Sequence, residues 1–314
     1  MIIMEPNIKV SIVLSTFNGT YYILEQLDSI RLQTRKANEV IILDDCSNDE
    51  TPKIISDYIQ RHQLADTWKL IENEINQGWK RNFMKGFQLA KGDIIFSSDQ
   101  DDIWMLDKIE KMVKVLESNE KITLLSCNLQ PFYESNTPHN LHKMFIRPYG
   151  KGRVEKVNVK LFFTTPIRPG CTYAFRRELL NRALEIWYPE WAHDSVLYTV
   201  ALMTDGYYIL NEPLIQFRRH GHNNSPKNLK NPQNKILVSE DYLKRLNLLT
   251  EKSKKWSISN NNINIIKKAI EYYKARINFF SNKHLKGCFS FLRYAKFYPD
   301  FRSFLGDYYI KFFC

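Results

Sequence analysis

The 314-residue chain is 44% apolar and 13% aromatic, enough to build a sizeable core and too much for a disordered chain. Its formal net charge of +11 calls for an anionic partner: nucleotide phosphates, an anionic membrane face or nucleic acid. No paired Cys/His zinc spacing and no basic zipper accompanies that charge, which argues against nucleic acid.

The segment Met1-Ile2-Ile3-Met4-Glu5-Pro6 lacks a basic n-region and is too short for a signal peptide. Val10-Ser11-Ile12-Val13-Leu14-Ser15-Thr16 reads as a buried strand, followed by an Asn18-Gly19 turn. A helix follows, with Ile23, Leu27 and Ile30 on one face. Val40-Ile41-Ile42-Leu43 is the second strand and ends at Asp44-Asp45. Thr51-Pro52 opens the next helix, Thr as N-cap and Pro at the first helical position, with Ile55, Tyr58 and Ile59 inward. Trp68-Lys69-Leu70-Ile71 is a third strand, and the helix after Gly78 aligns Phe83, Phe87 and Ala90.

The fourth strand, Ile94-Ile95-Phe96-Ser97, runs into Ser98-Asp99-Gln100-Asp101-Asp102. Three carboxylates at one strand end repel each other unless a cation sits among them. Carboxylate oxygens suit a hard divalent ion, Mg2+ or Mn2+. An acidic turn that caps the following helix at Asp102 or Asp107 is the competing reading. That helix carries Ile109, Met112, Val113 and Leu116 on its core face. The β-α-β-α order argues for an α/β fold, a mainly parallel sheet with helices on both faces. Ligands in such sheets bind beyond the carboxyl ends of the strands. Asn18, Asp44-Asp45 and Asp99–Asp101 all fall there.

Leu124-Leu125-Ser126-Cys127-Asn128-Leu129 is a further strand, and Ser135 to Gly152 reads as a loop. Thr172-Tyr173-Ala174-Phe175 is a strand after Pro169-Gly170, and Trp191-Ala192-His193-Asp194 opens a helix through Ala201. Gly206-Tyr207-Tyr208-Ile209-Leu210 and Leu214-Ile215-Gln216-Phe217-Arg218 read as two strands. A polar stretch, Gly221 to Gln233, precedes helices, one of them with Ile266, Ile270, Tyr273, Ile277 and Phe280 on its core face. The pattern divides at residues 1–225 and 226–314, an α/β domain and a helical extension. From Lys286 onward aromatics (Phe289, Phe291, Tyr294, Phe297, Tyr298, Phe301, Phe304, Tyr308, Phe312, Phe313) interleave with Lys286, Arg293, Lys296, Arg302 and Lys311. Such a tail suits an anionic bilayer surface, and equally suits a core packed on the preceding helices. The five cysteines are scattered and without CxxC spacing, as expected of free thiols in a reducing compartment. No uncharged apolar stretch is long enough to span a bilayer, so the expected location is cytoplasmic, with a peripheral membrane contact.

The segment Val10–Gly19, then Asp44-Asp45-Cys46-Ser47-Asn48-Asp49-Glu50-Thr51, Asn76-Gln77-Gly78, Arg81-Asn82 and Asp99-Gln100-Asp101-Asp102 resemble, in order and spacing, the family 2 glycosyltransferases. The resemblance covers roughly residues 10–224 and implies the nucleotide-sugar-binding GT-A fold. Ser98–Trp104, Ala192-His193-Asp194 and Arg218-Arg219-His220-Gly221-His222-Asn223 look most like the bacterial rhamnosyltransferase branch, which builds surface polysaccharides. The resemblance implies that Thr16 and Asn18 line the nucleotide pocket and that Asp44 accepts a hydrogen bond from the base imide, as in uracil or thymine. It also implies that Arg81 touches the nucleotide, that Asp99 and Asp101 form the DxD motif, and that Asp101 is the direct ligand of Mn2+ or Mg2+. Asp194 becomes the candidate base of an inverting transfer. His220 becomes a metal or diphosphate contact, with Arg218 or Arg219 countering phosphate charge, and Gly170 lines the donor-sugar pocket.

The implied reaction moves one sugar from dTDP-rhamnose or a UDP-sugar to a growing, lipid-linked surface glycan. A sugar nucleotidyltransferase would need a Gly-rich basic loop where Ser15–Gly19 stands. A catalytically silent membrane-binding or scaffolding protein would not need Asp99, Asp101 and Asp194.

Overall fold

The computed structural model describes residues 8–134, 152–161, 163–220, 231–282, 291–298 and 300–314. Contacts divide the chain into two units. The first holds Met1–Val157, Pro166–Ala201 and Asp205–Asn223; the second holds Asn158–Thr165, Leu202–Thr204 and Asn224–Cys314. The expected loop over Ser135 to Gly152 lies outside the described residues except for Gly152, as do Met1–Pro6, residues 221–230, Lys286 and Phe289.

The alternating order expected for the first third is present: β1 (Val10–Thr16), α1 (Ile23–Arg31), β2 (Glu39–Asp44), α2 (Thr51–Arg61), β3 (Trp68–Glu72), α3 (Trp79–Leu89) and β4 (Ile94–Ser98). After them come β5 (Ile103–Trp104), α4 (Lys108–Ser118), β6 (Leu124–Tyr133), β7 (Val154–Lys156), β8 (Tyr173–Arg176), α5 (Arg177–Leu184), α6 (His193–Met203) and β9 (Tyr207–Arg219). One α/β sheet runs β3-β2-β1-β4-β8-β6-β9-β5, with β7 also on β9. The first four strands are parallel neighbours, β8 enters antiparallel between β4 and β6, and β6 lies parallel to β9.

β1 is buried on both sides because helices cover both sheet faces. Val10, Ile12 and Leu14 share a core with Ile23, Leu27 and Ile30 of α1 and Ile55 and Tyr58 of α2. On the other face α3 approaches closely at Gly86, where a Cβ would stand 2.4 Å from Val13 Cγ1 and 2.6 Å from Leu43 Cδ1. The parallel register sets Thr16 beside Asp44, so the ends of β1 and β2 open into one crevice with the acidic end of β4.

Three local expectations are corrected. Thr51 does not cap α2: the N-cap is Glu50, and Thr51 Oγ1 accepts the Gly19 amide at 2.8 Å, a turn donor that competes for it. The two strands expected after Gly206 are one, β9, which passes through Pro213. Proline donates nothing to the ladder, and the register shifts at Cys127/Asn128 and Asn128/Leu129 of β6 accommodate it. In the second unit α8 (Asn260–Ser281) buries Ile266, Tyr273 and Phe280, but Tyr272, Arg276 and Phe279 replace Ile270 and Ile277 on its fully buried face.

The reason for that shift is a buried ion pair. Arg276 donates from Nε to Asp307 Oδ2 at 2.7 Å and from Nη2 to Asp307 Oδ1 at 3.0 Å, with Nη1 3.1 Å from Ser239 Oγ. Ser239 lies on α7 (Pro232–Lys252), whose first turn already begins inside the stretch expected to be polar loop, and Asp307 lies on α9 (Phe301–Phe313). Aromatic residues surround the pair: Tyr272 stacks on Phe297 at 4.8 Å and Phe279 on Phe291 at 4.5 Å. Phe291, Tyr294, Phe297 and Phe304 are thus core, while Phe301, Phe312 and Phe313 face solvent. No helix among the described residues is long and apolar enough to cross a membrane.

Candidate active site

The crevice has two corners, one around Asn18 and Asp44 and one around the acids that follow β4. In the first, Asn18 sits in the left-handed region at φ 49°, a conformation asparagine tolerates, and its Oδ1 accepts the Asn48 amide at 3.0 Å. Its own amide donates to Ser47 Oγ at 2.8 Å. Asp44 is buried and accepts from the Ser47 amide at 2.7 Å and from Ser47 Oγ at 2.6 Å. Burial raises its pKa, against those two hydrogen bonds. Each carboxylate oxygen still has a lone pair to offer an imide N–H. Thr16 is buried beside it, and its Oγ1 has no hydrogen-bond partner among the described residues. Arg81 is exposed in the first turn of α3, outside this bonded frame.

Two residues to which the sequence assigned no role of their own in the site build the frame. Asp45 accepts the amides of Gln77 and Gly78, both at 2.8 Å, and Asn73 Nδ2 at 2.9 Å, which fixes the loop entering α3. Gln100 exchanges two hydrogen bonds with the Phe17 backbone, at 2.8 and 3.1 Å, and ties the turn after β1 to the acidic loop.

In the acidic corner Asp101 Oδ2 lies 2.9 Å from His220 Nε2, at the end of β9. Arg218 donates its amide to Asp102 Oδ1 at 3.2 Å and its Nε to the Asp101 carbonyl at 2.9 Å. Its guanidinium pairs with Glu25 and Glu134 and lies over the rings of Tyr22 and Phe132, so it is committed to holding the loop. Burial, then the charges of Asp101 and Asp194, push the Asp99 carboxyl up to about 7. Burial, then the charges of Asp101 and Asp99, raise Asp102 well above the usual carboxylate range. Asp102 Oδ2 is buried without a hydrogen-bond partner among the described residues, and donor atoms of Asp99, Asp102 and Cys171 all lie within 4.8 Å of one another. An excess of buried negative charge and an orphaned carboxylate oxygen fit a divalent cation.

Lys108 is the missed residue here. It is fully buried, donates to the Cys171 carbonyl at 3.0 Å and stands 3.4 Å from the Trp104 ring centroid. Burial lowers its pKa to about 8, against the pull of the nearby acids. It supplies positive charge from behind the cluster. The signal was available: Lys108 is four residues before Met112, on the core face of α4.

Asp194 lies in the first turn of α6, its Oδ1 2.7 Å from the Ser195 amide. Gly170 packs directly on it: a Cβ there would come within 3.0 Å of Asp194 Cβ and of His193 Nε2. The structure therefore gathers Asp99, Asp101, Asp102, Asp194, Gly170 and His220 at one edge, with Thr16, Asn18 and Asp44 in the adjoining corner.

His193 has a packing role. Its ring is buried, 4.0 Å from Phe83 and 5.5 Å from Trp79, and burial pushes its pKa down to about 3. The folded protein thus holds a neutral imidazole, while the unfolded chain takes up a proton below about pH 6.5. Stability is expected to fall as pH drops from about 6.5 toward 3, by up to about 1.4 kcal/mol per pH unit from this group. Urea unfolding between pH 7.5 and 5.5 checks this: His193→Gln should remove that slope relative to the wild type, and equal slopes refute it.

With this geometry in place, comparison with known proteins is informative. The description "Glycosyl transferase family 2" applies to the sequence family that matches residues 11–184. The chain is 29% identical over 234 residues to the dTDP-rhamnosyl transferase RfbG of Shigella flexneri, covering 69% of this chain and 74% of that one. It is 26% identical over 220 residues to an uncharacterized glycosyltransferase of Nostoc sp., covering 69% of this chain and 66% of the relative. Among solved structures, S. aureus TarS 1-349 in complex with UDP-GlcNAc superposes with TM-score 0.60 at 16% identity, over 95% of this chain and 91% of that one. The mannosyltransferase PcManGT of Pyrobaculum calidifontis, in complex with GDP-Man and Mn2+, gives TM-score 0.52 at 19% identity, over 97% and 85%. The match to the family spans more than half of the sequence and contains the acidic corner apart from Asp194, Arg218 and His220. The chain therefore belongs to glycosyl transferase family 2, and is a nucleotide-sugar-dependent glycosyltransferase with a GT-A fold.

Proposed function

We propose that this enzyme transfers a single sugar, with inversion, from a deoxythymidine or uridine diphosphate sugar to a saccharide acceptor. The observation that carries the reading is the convergence of Asp99, Asp101 and Asp194, close enough for the last two to raise the pKa of the first. Asp99 and Asp101, with His220 beside Asp101, would hold Mn2+ or Mg2+, whose charge offsets that developing on the leaving diphosphate. Asp194 takes the proton from the acceptor hydroxyl as its oxygen bonds to the anomeric carbon. The bond from that carbon to the diphosphate breaks, and its electron pair leaves with the diphosphate. Thr16, Asn18 and Asp44 receive the base and ribose, Arg81 contacts the nucleotide, and Gly170, packed against Asp194, lines the donor-sugar pocket. Catalysis is assigned to residues 1–225, and residues 226–314 to a helical extension.

Asp44 suits an imide donor, which thymine and uracil present at N3, and the kinship with the Shigella rhamnosyl transferase supports dTDP-rhamnose within that pair. The proposed acceptor is a lipid-linked precursor of a bacterial surface polysaccharide, met at the anionic cytoplasmic face of the membrane. Thermal shift with Mn2+ and a donor panel tests the reading. A ligand at a hundred times its Kd adds about 2.7 kcal/mol to stability. Stabilisation by dTDP-rhamnose or a UDP-sugar is expected, and none by GDP-mannose. A response to GDP-mannose alone would overturn the role given to Asp44.

A further inference from the structure

We propose that the outward face of α9 is a docking surface for an anionic lipid bilayer. The helix has two unlike sides. Phe304, Asp307 and Ile310 point inward, and Asp307 is locked to Arg276. The Asp300 side chain caps the first turn through the Ser303 amide at 2.7 Å. The helix is thus held in place by its inner side. On the other side Phe301 (66% exposed), Leu305, Tyr309 (60%), Phe312 and Phe313 (76%) stand in solvent. At 3.6 residues per turn these five positions fall within about 120° of the helix circumference. A contiguous stripe of large apolar groups is not left in water without a use.

Charge selects the occupant. Among the described residues from 291 onward, the exposed ionic side chains are Arg293, Lys296, Arg302 and Asp300, three cations against one anion. Arg302 lies within the angular span of the stripe itself. A second copy of this chain would bring identical cations together across the same stripe, whereas an anionic lipid surface complements them. Phe and Tyr rings flanked by cations match the headgroup boundary, where rings enter the acyl region and charges meet phosphate. At 13 residues α9 is too short to span a bilayer, so it lies flat. The surface stands independently of the transfer reaction; only its purpose, delivery to a lipid-linked acceptor, rests on the function proposed above.

The test is flotation of the full chain with vesicles of phosphatidylglycerol and phosphatidylcholine, against phosphatidylcholine alone. Binding is expected to the anionic vesicles only, and to weaken severalfold when salt rises from about 0.1 to about 0.5 M. The triple variant Phe301→Ser, Tyr309→Ser, Phe313→Ser and the single variant Arg302→Glu alter only exposed positions. Each should float at least tenfold less well while keeping the wild-type melting temperature and the wild-type response to nucleotide sugar. Wild-type protein that stays in solution with anionic vesicles, or variants that float like the wild type, would overturn the proposal. So would a dimer by light scattering that the triple variant dissolves, since the stripe then meets a second copy. Wild-type protein that responds to nucleotide sugar but does not float is a failure of this proposal alone, and protein that floats without that response is a failure of the transferase reading alone.

Discussion

Asp101→Asn is expected to abolish sugar transfer and divalent-dependent nucleotide binding while the protein remains folded. The substitution preserves shape and leaves an amide within reach of His220 Nε2, now 2.9 Å from the carboxylate, so the packing at the end of β9 has no reason to change. What it removes is a charge. Asp99 is pushed up to about 7 by burial and by the charges of Asp101 and Asp194, so deleting one of those charges relaxes Asp99 toward its ordinary range. The variant should therefore be no less stable than the wild type near neutral pH. Its defect is in offering a hard cation one carboxylate fewer, and removing one such electrostatic contact at a reacting diphosphate costs at least about a hundredfold. Two measurements settle it: calorimetric titration of Mn2+ in the presence of nucleotide, and transfer assayed with and without EDTA. Wild-type turnover in excess EDTA, or full activity of the variant, would falsify the assignment of a cation to this corner.

The second large effect is expected from Asp194→Asn: transfer falls at least about a hundredfold, and donor affinity stays within error of the wild type. A general base acts on the acceptor hydroxyl in the transition state, so its loss appears in kcat and not in donor binding. The surroundings favour a clean result. Asp194 Oδ1 accepts the Ser195 amide at 2.7 Å, a contact the amide oxygen of Asn reproduces, and Gly170 leaves no side chain to readjust against it. Donor titration followed by thermal shift, paired with single-turnover transfer, distinguishes the two parameters. Near-normal turnover with Asn at this position, or a matched loss of donor binding, removes Asp194 from the role of base.

Much of this enzyme is written in local pattern. β1, β2 and β4 are legible because strands buried on both faces are uncharged and rich in apolar residues, as Val10–Thr16, Val40–Leu43 and Ile94–Ser97 are. The alternation with helices places their carboxyl ends on one edge, so Asn18, Asp44, Asp99 and Asp101 could be gathered on paper before their positions were known. Where periodicity and composition leave two outcomes, the tertiary structure chooses. The sequence offers Thr51 as the cap of α2, and in the fold the Gly19 amide takes its hydroxyl instead. The aromatics after residue 290 could be core or surface, and they divide by helix face: Phe304 inward, Phe301 outward.

Other features have no local signature, because their partners are far away in sequence. Lys108 reaches the Cys171 carbonyl across 63 residues, and His220 reaches Asp101 across 119. Nothing in the residues around Cys171 announces that its thiol sits with Asp99 and Asp102, or that a buried lysine lies behind them. Strand and helix periods record which side of an element meets the core, and so the sequence alone determined the first four strands, the helices between them and the acids at their ends. Which buried charge meets which depends on crossings that bring β4, β8 and β9 together, and only the folded chain decides that.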